Sequence, residues 1–397
     1  MEVPNTVPPR PPRRSGRLLI VALAMALIAA MGCSSATNTG PAAAPAGSGA
    51  LNLKAVCPDP VVVQTSWFPQ SEHGAVYQLL GADHTIDAAH KRVTGPLVVN
   101  GHSTGIRIQV RAGGPAVGFQ SSAALMYQDP SITLGMMNPD QIIQLSKTQP
   151  VIGVVAPMEL DPQIILWDPA RHPGWHTIAD IGQTDAKVSY FGGSTYMEYL
   201  IGSGILRKRQ VDGSYDGSPA AFVASGGTVA VQAYATNEPY TYQHEVTAWG
   251  KPVAYQLVYD TGYPNYANVL AVRADKKAAL ASCLARLVPI IQQAQTQFMT
   301  APAATIGLTL KLVDAYKGGF VYSKNNANFA VEQMRRLGIV ANGPDATLGN
   351  FDLTRLARLI GIVVPIFAGQ HKPIKPGLTP ADVATNEFIN PTISLRG

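Results

Sequence analysis

Three consecutive β-branched residues, Val61-Val62-Val63, limit the fold more than any other stretch. An apolar run without polar alternation suits a strand covered on both faces, as in a parallel sheet flanked by helices. Gln64 to Phe68 carries the strand into a turn, and Pro69 ends it because proline has no N–H for a sheet ladder. Val76, Leu79 and Leu80 then share one face of a helix predicted over 73–82. In an open α/β sheet, ligands gather beyond the carboxyl ends of the strands. Trp67 and Phe68 are therefore expected at a cleft mouth, Trp67 either as a flat ring for a ligand or as a cap on the core.

The same grammar recurs along the chain. A largely polar, irregular stretch between Gly81 and Gly105 reads as a surface insertion. Gly105 to Arg111 alternates as a strand and ends at Gly113-Gly114-Pro115, where paired glycines allow close backbone approach or expose amide groups. Ile132 to Met136 is a further strand; Asn138 is placed to cap a helix beginning at Pro139. Val151 to Ala156, Lys187 to Phe191, Val229 to Tyr234 and Ala254 to Tyr259 read as strands. Gly192-Gly193 turns the second of these into a helix, in which Thr195 and Glu198 have capping-box spacing. Such a helix start can hold an anion or a carbonyl, or simply be capped.

After Asp260 the pattern turns helical. Asp275 is placed to cap a helix with an apolar stripe through Leu280, Cys283, Leu284, Leu287, Ile290, Ile291 and Phe298, kinked at Pro289. Helices are also predicted over 330–337 and 353–367.

Composition fixes the setting. The chain has 397 residues, 46% of them apolar, enough for two domains with sizeable cores. Of its net charge of +5, Arg10, Arg13, Arg14 and Arg17 against Glu2 supply most, so the remainder is near neutral. Nucleic-acid binding is not expected, because the one basic run beyond these, Arg207-Lys208-Arg209, suits a solvated turn. Residues 1–33 have the order of a signal peptide: arginines, then an apolar run from Leu18 to Ala30 that is short for a membrane span, then Gly32-Cys33. This ending resembles a lipobox with Cys33 as the lipidated residue, although Ala30 stands where leucine is usual; plain secretory cleavage or an uncleaved anchor are the alternatives. Residues 34–57 are rich in small residues and proline and are expected to form a flexible tether. Cys57 and Cys283 remain, and in an exported protein an even pair suggests a disulfide.

Several motifs in order then resemble a family. They are Trp67-Phe68-Pro69 with His73-Gly74, Gly113-Gly114-Pro115, Asp161-Pro162-Gln163, Gly192-Gly193 with Tyr196, Asn237-Glu238-Pro239, and Thr385-Asn386-Glu387-Phe388. Over roughly residues 58–390 the chain resembles the thiamine-precursor, nitrate and sulfonate class of solute-binding lipoproteins, the extracytoplasmic receptors of ABC transporters. The resemblance implies an α/β, two-lobed periplasmic-binding-protein type II fold with two hinge strands. Residues 58–157 plus 262–397 would form lobe 1 and 158–261 lobe 2, closing on a ligand about the hinge. It implies a cleft lined by Trp67, His73, Gly114, Asn138, Asp161, Ser194, Tyr196, Glu238 and Tyr240.

Trp67, Tyr196 and Tyr240 suit a ring. An ionised Glu238 would oppose an anion and suit amino or ring N–H groups; its alternative role is a hydrogen bond between lobes. A small heteroaromatic such as a thiamine-precursor pyrimidine or riboflavin is therefore the expected solute, with nitrate, sulfonate or taurine as the alternative. The resemblance also implies ABC permease and ATPase partners, membrane attachment through the N-terminal lipid and a monomeric receptor; a non-transport surface lipoprotein is the other reading. No cofactor, metal or enzymatic role is expected. There is no Gly-x-Ser-x-Gly or His-Glu-x-x-His motif, and Pro173-Gly174 breaks the helical spacing of His172 and His176. Relatives of the fold synthesise the thiamine pyrimidine inside cells, which an export signal argues against.

Overall fold

A computed structural model describes residues 44–395. The expected signal segment, Cys33 and the first part of the expected tether lie outside the described residues. Twelve strands are numbered in chain order: β1 (Val61–Gln64), β2 (Thr85–Asp87), β3 (Arg92–Val99), β4 (His102–Arg111), β5 (Leu134–Met137), β6 (Val151–Val155), β7 (Gln163–Trp167), β8 (Val188–Ser189), β9 (Val211–Asp212), β10 (Ala230–Tyr234), β11 (Ala254–Leu257) and β12 (Val269–Arg273). They make two mixed sheets, one ordered β2-β3-β4-β1-β5-β12-β6 and the other β11-β7-β10-β8-β9. β1 is parallel to both β4 and β5, and β10 is parallel to β8.

The chain leaves the first sheet after β6 and returns to it at β12. The two crossings run antiparallel at Met158 and Ala267, which form the hinge. This is the α/β, two-lobed architecture with two hinge strands.

β1 is covered on both faces, as its sequence requires. Val61 and Val63 join one core with Leu284, Leu287 and Ile291 of the helix Lys277–Thr300. Val62 faces a second core containing Leu356, Leu359 and Val363 of the helix Leu353–Gly369. That helix packs on Pro139–Leu145 beside the first sheet and on Thr195–Gly202 beside the second. A third core joins Ile164, Leu166, Val231 and Ala233 to Ile306, Val331 and Met334.

Several local expectations are corrected. The stretch after Gly81 is not an irregular insertion: it holds β2, β3 and the start of β4. Val93, Leu97 and Val99 are buried while Thr94, Pro96 and Val98 are less so, the period of a half-buried strand. Asn100 and Gly101 connect β3 to β4 with φ of 51° and 76°, the doubly left-handed turn that suits a tight hairpin. The helix predicted over 73–82 is one turn, Gly74–Tyr77, after a 3-10 turn at Ser71–His73. Pairing wins over propensity there, because the Leu79 carbonyl accepts the Val98 N–H at 2.8 Å and Leu80 bridges Leu97. Asp275 is paired with Arg273 rather than capping a helix. Ser194, not Thr195, precedes the helix Thr195–Gly202, and its hydroxyl donates to the Phe191 carbonyl at 2.8 Å.

The later half of the segment read as a tether is held on the first sheet. Gly47 donates to the Ser103 carbonyl at 2.7 Å, Leu53 donates to Thr104 at 2.9 Å, and the Leu53 side chain is buried. Cys57 is disulfide-bonded to Cys283, joining the start of the fold to the helix Lys277–Thr300 across 226 residues of sequence. Among the described residues, no helix is long and apolar enough to cross a membrane.

Candidate ligand cleft

Trp67 lies just beyond the carboxyl end of β1. Its carbonyl accepts from the Thr65 hydroxyl at 2.8 Å and from the Gly113 N–H at 3.0 Å, fixing the backbone under the indole. Both glycines are required by space. A Cβ on Gly113 would lie 2.1 Å from the Thr65 carbonyl oxygen, and one on Gly114 would lie 2.4 Å from the indole Cε3. The indole meets Phe119 at 5.9 Å and Phe191 at 5.8 Å between ring centroids, and those two rings are 6.0 Å apart. Tyr215 lies 5.1 Å beyond Phe191. Trp67 and Phe119 come from the first-sheet side, Phe191 and Tyr215 from the second, so rings of both lobes meet at the cleft mouth. Phe119 is 57% exposed there.

At the hinge crossings the residues are polar. Asn138 accepts from the Asn268 N–H at 3.1 Å and donates to Asp161 at 3.1 Å. Asp161 also receives the Asn265 amide at 3.3 Å and the Gln163 N–H at 3.1 Å. Burial, and secondarily the charge of Asp140, pushes the Asp161 carboxyl up to about 7. Asn138 and Asp161 thus tie the end of β5 to both hinge crossings.

His73 is fully buried, and its Nε2 lies 3.2 Å from the Ser66 hydroxyl, which donates to Asn268 at 2.7 Å. Burial lowers its pKa to about 3, so it is a neutral imidazole. The Tyr196 hydroxyl donates at 2.5 Å to the Gln232 side-chain oxygen, which also holds the Phe191 N–H at 2.7 Å. Glu238 accepts the Tyr234 N–H at 2.7 Å, and burial raises its carboxyl to about 7. Tyr240 is turned to the helix Lys324–Arg336, with its ring 4.5 Å from His244 and 5.5 Å from Phe329. Among the named residues, Trp67 and Gly114 form one contact, Asn138 and Asp161 another. Ser194 and Tyr196 brace the Phe191 turn, while Tyr240 faces elsewhere.

Sequence reading missed Glu72, Phe119, Phe191, Tyr234 and Arg355. Glu72 precedes His73 and is 4% exposed; one of its oxygens accepts the Thr236 hydroxyl from across the cleft. Burial raises Glu72 to about 7 as well. The half-buried Tyr234 sits among Asp161, Glu72 and Glu238, and its hydroxyl is held well above the usual range by burial and those carboxylates. A glutamate set between apolar runs beside Trp67 was the available signal for Glu72. Nothing local in the sequence marks Phe119 or Phe191, because their partners are distant in the chain.

Arg355 begins the helix Leu353–Gly369 and grips both hinge crossings. It bonds the Glu159 carboxylate and carbonyl at 2.8 Å each, the Pro264 carbonyl at 2.9 Å and the Asn265 carbonyl at 2.7 Å. Tyr266 lies against its guanidinium at 3.7 Å.

An open hollow of about 490 Å³ lies elsewhere, among residues that precede β1 and β5. Its arginines are engaged by acids, Arg92 by Asp87, Arg111 by Asp129 and Arg273 by Asp275, while Lys276 also lines it. No cluster of metal-ligating side chains is found among the described residues.

Two lobes, a two-stranded hinge and a cleft at the strand ends define a periplasmic-binding-protein fold. Among solved structures, the chain is similar to the aliphatic sulphonate-binding protein of Escherichia coli, with 15% identity, 86% of this chain and 95% of that one covered, and a TM-score of 0.51. The alkanesulfonate-binding protein of Xanthomonas axonopodis pv. citri bound to MOPS matches at 12% identity, with 83% and 99% coverage and a TM-score of 0.51. A Bordetella bronchiseptica protein matches at 14% identity, with 83% and 96% coverage and the same TM-score. At these identities the likeness establishes the fold. Neither a protein-family profile nor a curated protein sequence matches the chain.

Proposed function

We propose that the protein is the extracytoplasmic solute-binding component of an ABC importer. It captures a small heteroaromatic, such as a thiamine-precursor pyrimidine or riboflavin, between lobes made of residues 58–157 plus 262–397 and 158–261. Its partners are the permease and ATPase subunits, and Cys33 supplies the lipid anchor. The observation that carries the reading is Trp67 facing Phe191 from the opposite lobe, and the carboxylates Glu72, Asp161 and Glu238, which all act on Tyr234, support it. The two rings meet in tilted contact at 5.8 Å, so a planar solute would stack on them as the lobes part. Where these carboxyls are ionised, above their raised values near 7, and with no ion-paired cation among the described residues, they oppose nitrate and sulfonates.

Thermal-shift and calorimetric titration against pyrimidines, riboflavin, taurine and nitrate tests the proposal. A ring solute should stabilise the mature protein by mass action. Trp67→Ala and Glu238→Ala should each weaken its binding at least about tenfold, about 1.4 kcal/mol. Tight taurine or nitrate binding unmoved by Glu238→Ala would reverse the choice of solute, and stabilisation by none of them would favour a non-transport lipoprotein.

A further inference from the structure

The sequence motifs leave Glu72 without a role, yet its surroundings are unusual. The side chain is 4% exposed, and Oε1 accepts from Thr236, which is itself fully buried. Oε2 is buried with no partner. The neighbouring donors are engaged elsewhere: Tyr322 donates to the Ser71 hydroxyl at 2.9 Å, and Ser71 donates to the Ala327 carbonyl at 3.1 Å. No lysine or arginine among the described residues bonds Glu72 or Glu238, and Glu238 accepts the Tyr234 N–H at 2.7 Å. A buried carboxylate oxygen without a donor is costly, and the cost is removed by any group that brings N–H donors and positive charge. Glu72 belongs to the first lobe and Thr236 to the second, so their bond joins the two lobes and leaves the free oxygen where they meet.

We propose that Glu72 reads charge in the cleft: its unpartnered Oε2, together with Glu238, selects a planar solute that carries positive charge and N–H donors along one edge, as a protonated amino- or amidino-substituted ring does. This rests on the cleft being a solute site and narrows its ligand class. Neutral rings would bind more weakly, and planar anions would be rejected by two carboxylates with no cation between them.

A charge series on one ring tests it, using the mature chain with benzamidine, benzamide and benzenesulfonate at millimolar concentration. Trp67→Phe serves as the control that assigns the fluorescence change to the cleft. Benzamidine should quench Trp67 and raise Tm, benzamide less so, and benzenesulfonate not at all. Glu72→Gln keeps the size and the Thr236 bond; it should weaken benzamidine at least about tenfold and move benzamide little. Should that variant misfold, Glu238→Gln and the wild-type series carry the same comparison. Benzenesulfonate quenching Trp67 while benzamidine is silent would overturn the inference and leave the solute cleft standing. So would a pyrimidine or flavin that binds uncharged with an affinity unmoved by Glu72→Gln. Silence towards the charge series and the metabolite panel alike would remove both readings.

Discussion

Glu72 and His73 are adjacent, equally buried and pushed in opposite directions, to about 7 and about 3. Desolvation disfavours the charged form of each. The stability consequence has a definite sign. Glu72, Asp161 and Glu238 have folded-state values above their unfolded ones, so their contribution is present at low pH and lost as pH rises through about 7. His73, with a lowered value, acts oppositely: its contribution is present above about 6.5 and lost as pH falls towards 3. Three carboxyls outweigh one imidazole between pH 5 and 8. Calorimetric scans of the unliganded protein should therefore give a higher Tm at about pH 5.5 than at about pH 8, with a smaller decline in Glu72→Gln. An unchanged decline in that variant would mean Glu72 is ionised at little cost.

At the scale of single residues, the sequence marked positions rather than partners. Trp67 at a strand end and the close approach allowed by Gly113-Gly114 were each readable, but not that the glycines make room for Thr65 and the indole. The direction of Tyr240 was not, because Phe329 lies far along the chain and decides it by packing.

Among elements, the helix Leu353–Gly369 has an outsized role. Its apolar stripe was legible from helical periodicity, but Arg355 reads in sequence as one more polar residue at a helix start. Only the assembled hinge reveals four acceptors around it. Removing one member of a buried, hydrogen-bonded ion pair strands the other, so Arg355→Met should destabilise by about 3–5 kcal/mol in urea unfolding. Arg355→Lys should recover only part of this, because lysine cannot bridge both crossings with a planar fork. The disulfide gives a second test. Joining Cys57 to Cys283 closes a very long loop, so the Cys57→Ser, Cys283→Ser double variant should lose about 2–5 kcal/mol. Free thiols in the untreated mature protein would refute the bond.

The hairpin of β3 and β4 shows why one element escaped sequence reading. Its cue was present in Asn100-Gly101 and in the alternation of Val93, Leu97 and Val99. Gly95, Pro96 and the surrounding polar residues concealed both. Short strands such as β8, two residues long, are defined by neighbours in the sheet and leave no periodic signature.

For the whole molecule, runs of buried strand residues followed by turns and helices indicated an α/β chain, and the resemblance carried by the ordered motifs implied the two lobes and hinge. The assignment of one helix to two lobes was not legible, because periodicity says which face is apolar and not what covers it. Leu353–Gly369 rests on helices of both lobes, so it limits how far they can part. Small-angle scattering should accordingly detect a modest fall in radius of gyration on adding a ring solute, greater in Arg355→Lys, where the hinge grip is loosened. Identical profiles across every solute that binds would show that capture proceeds without lobe movement.

The docking of Gly47 and Leu53 on β4, reinforced at Cys57, also has a mechanical meaning. A pull applied ahead of Gly47 would enter through the first sheet and the helix Lys277–Thr300. The second sheet takes none of that load directly. The point of entry of the described chain therefore belongs to one jaw alone.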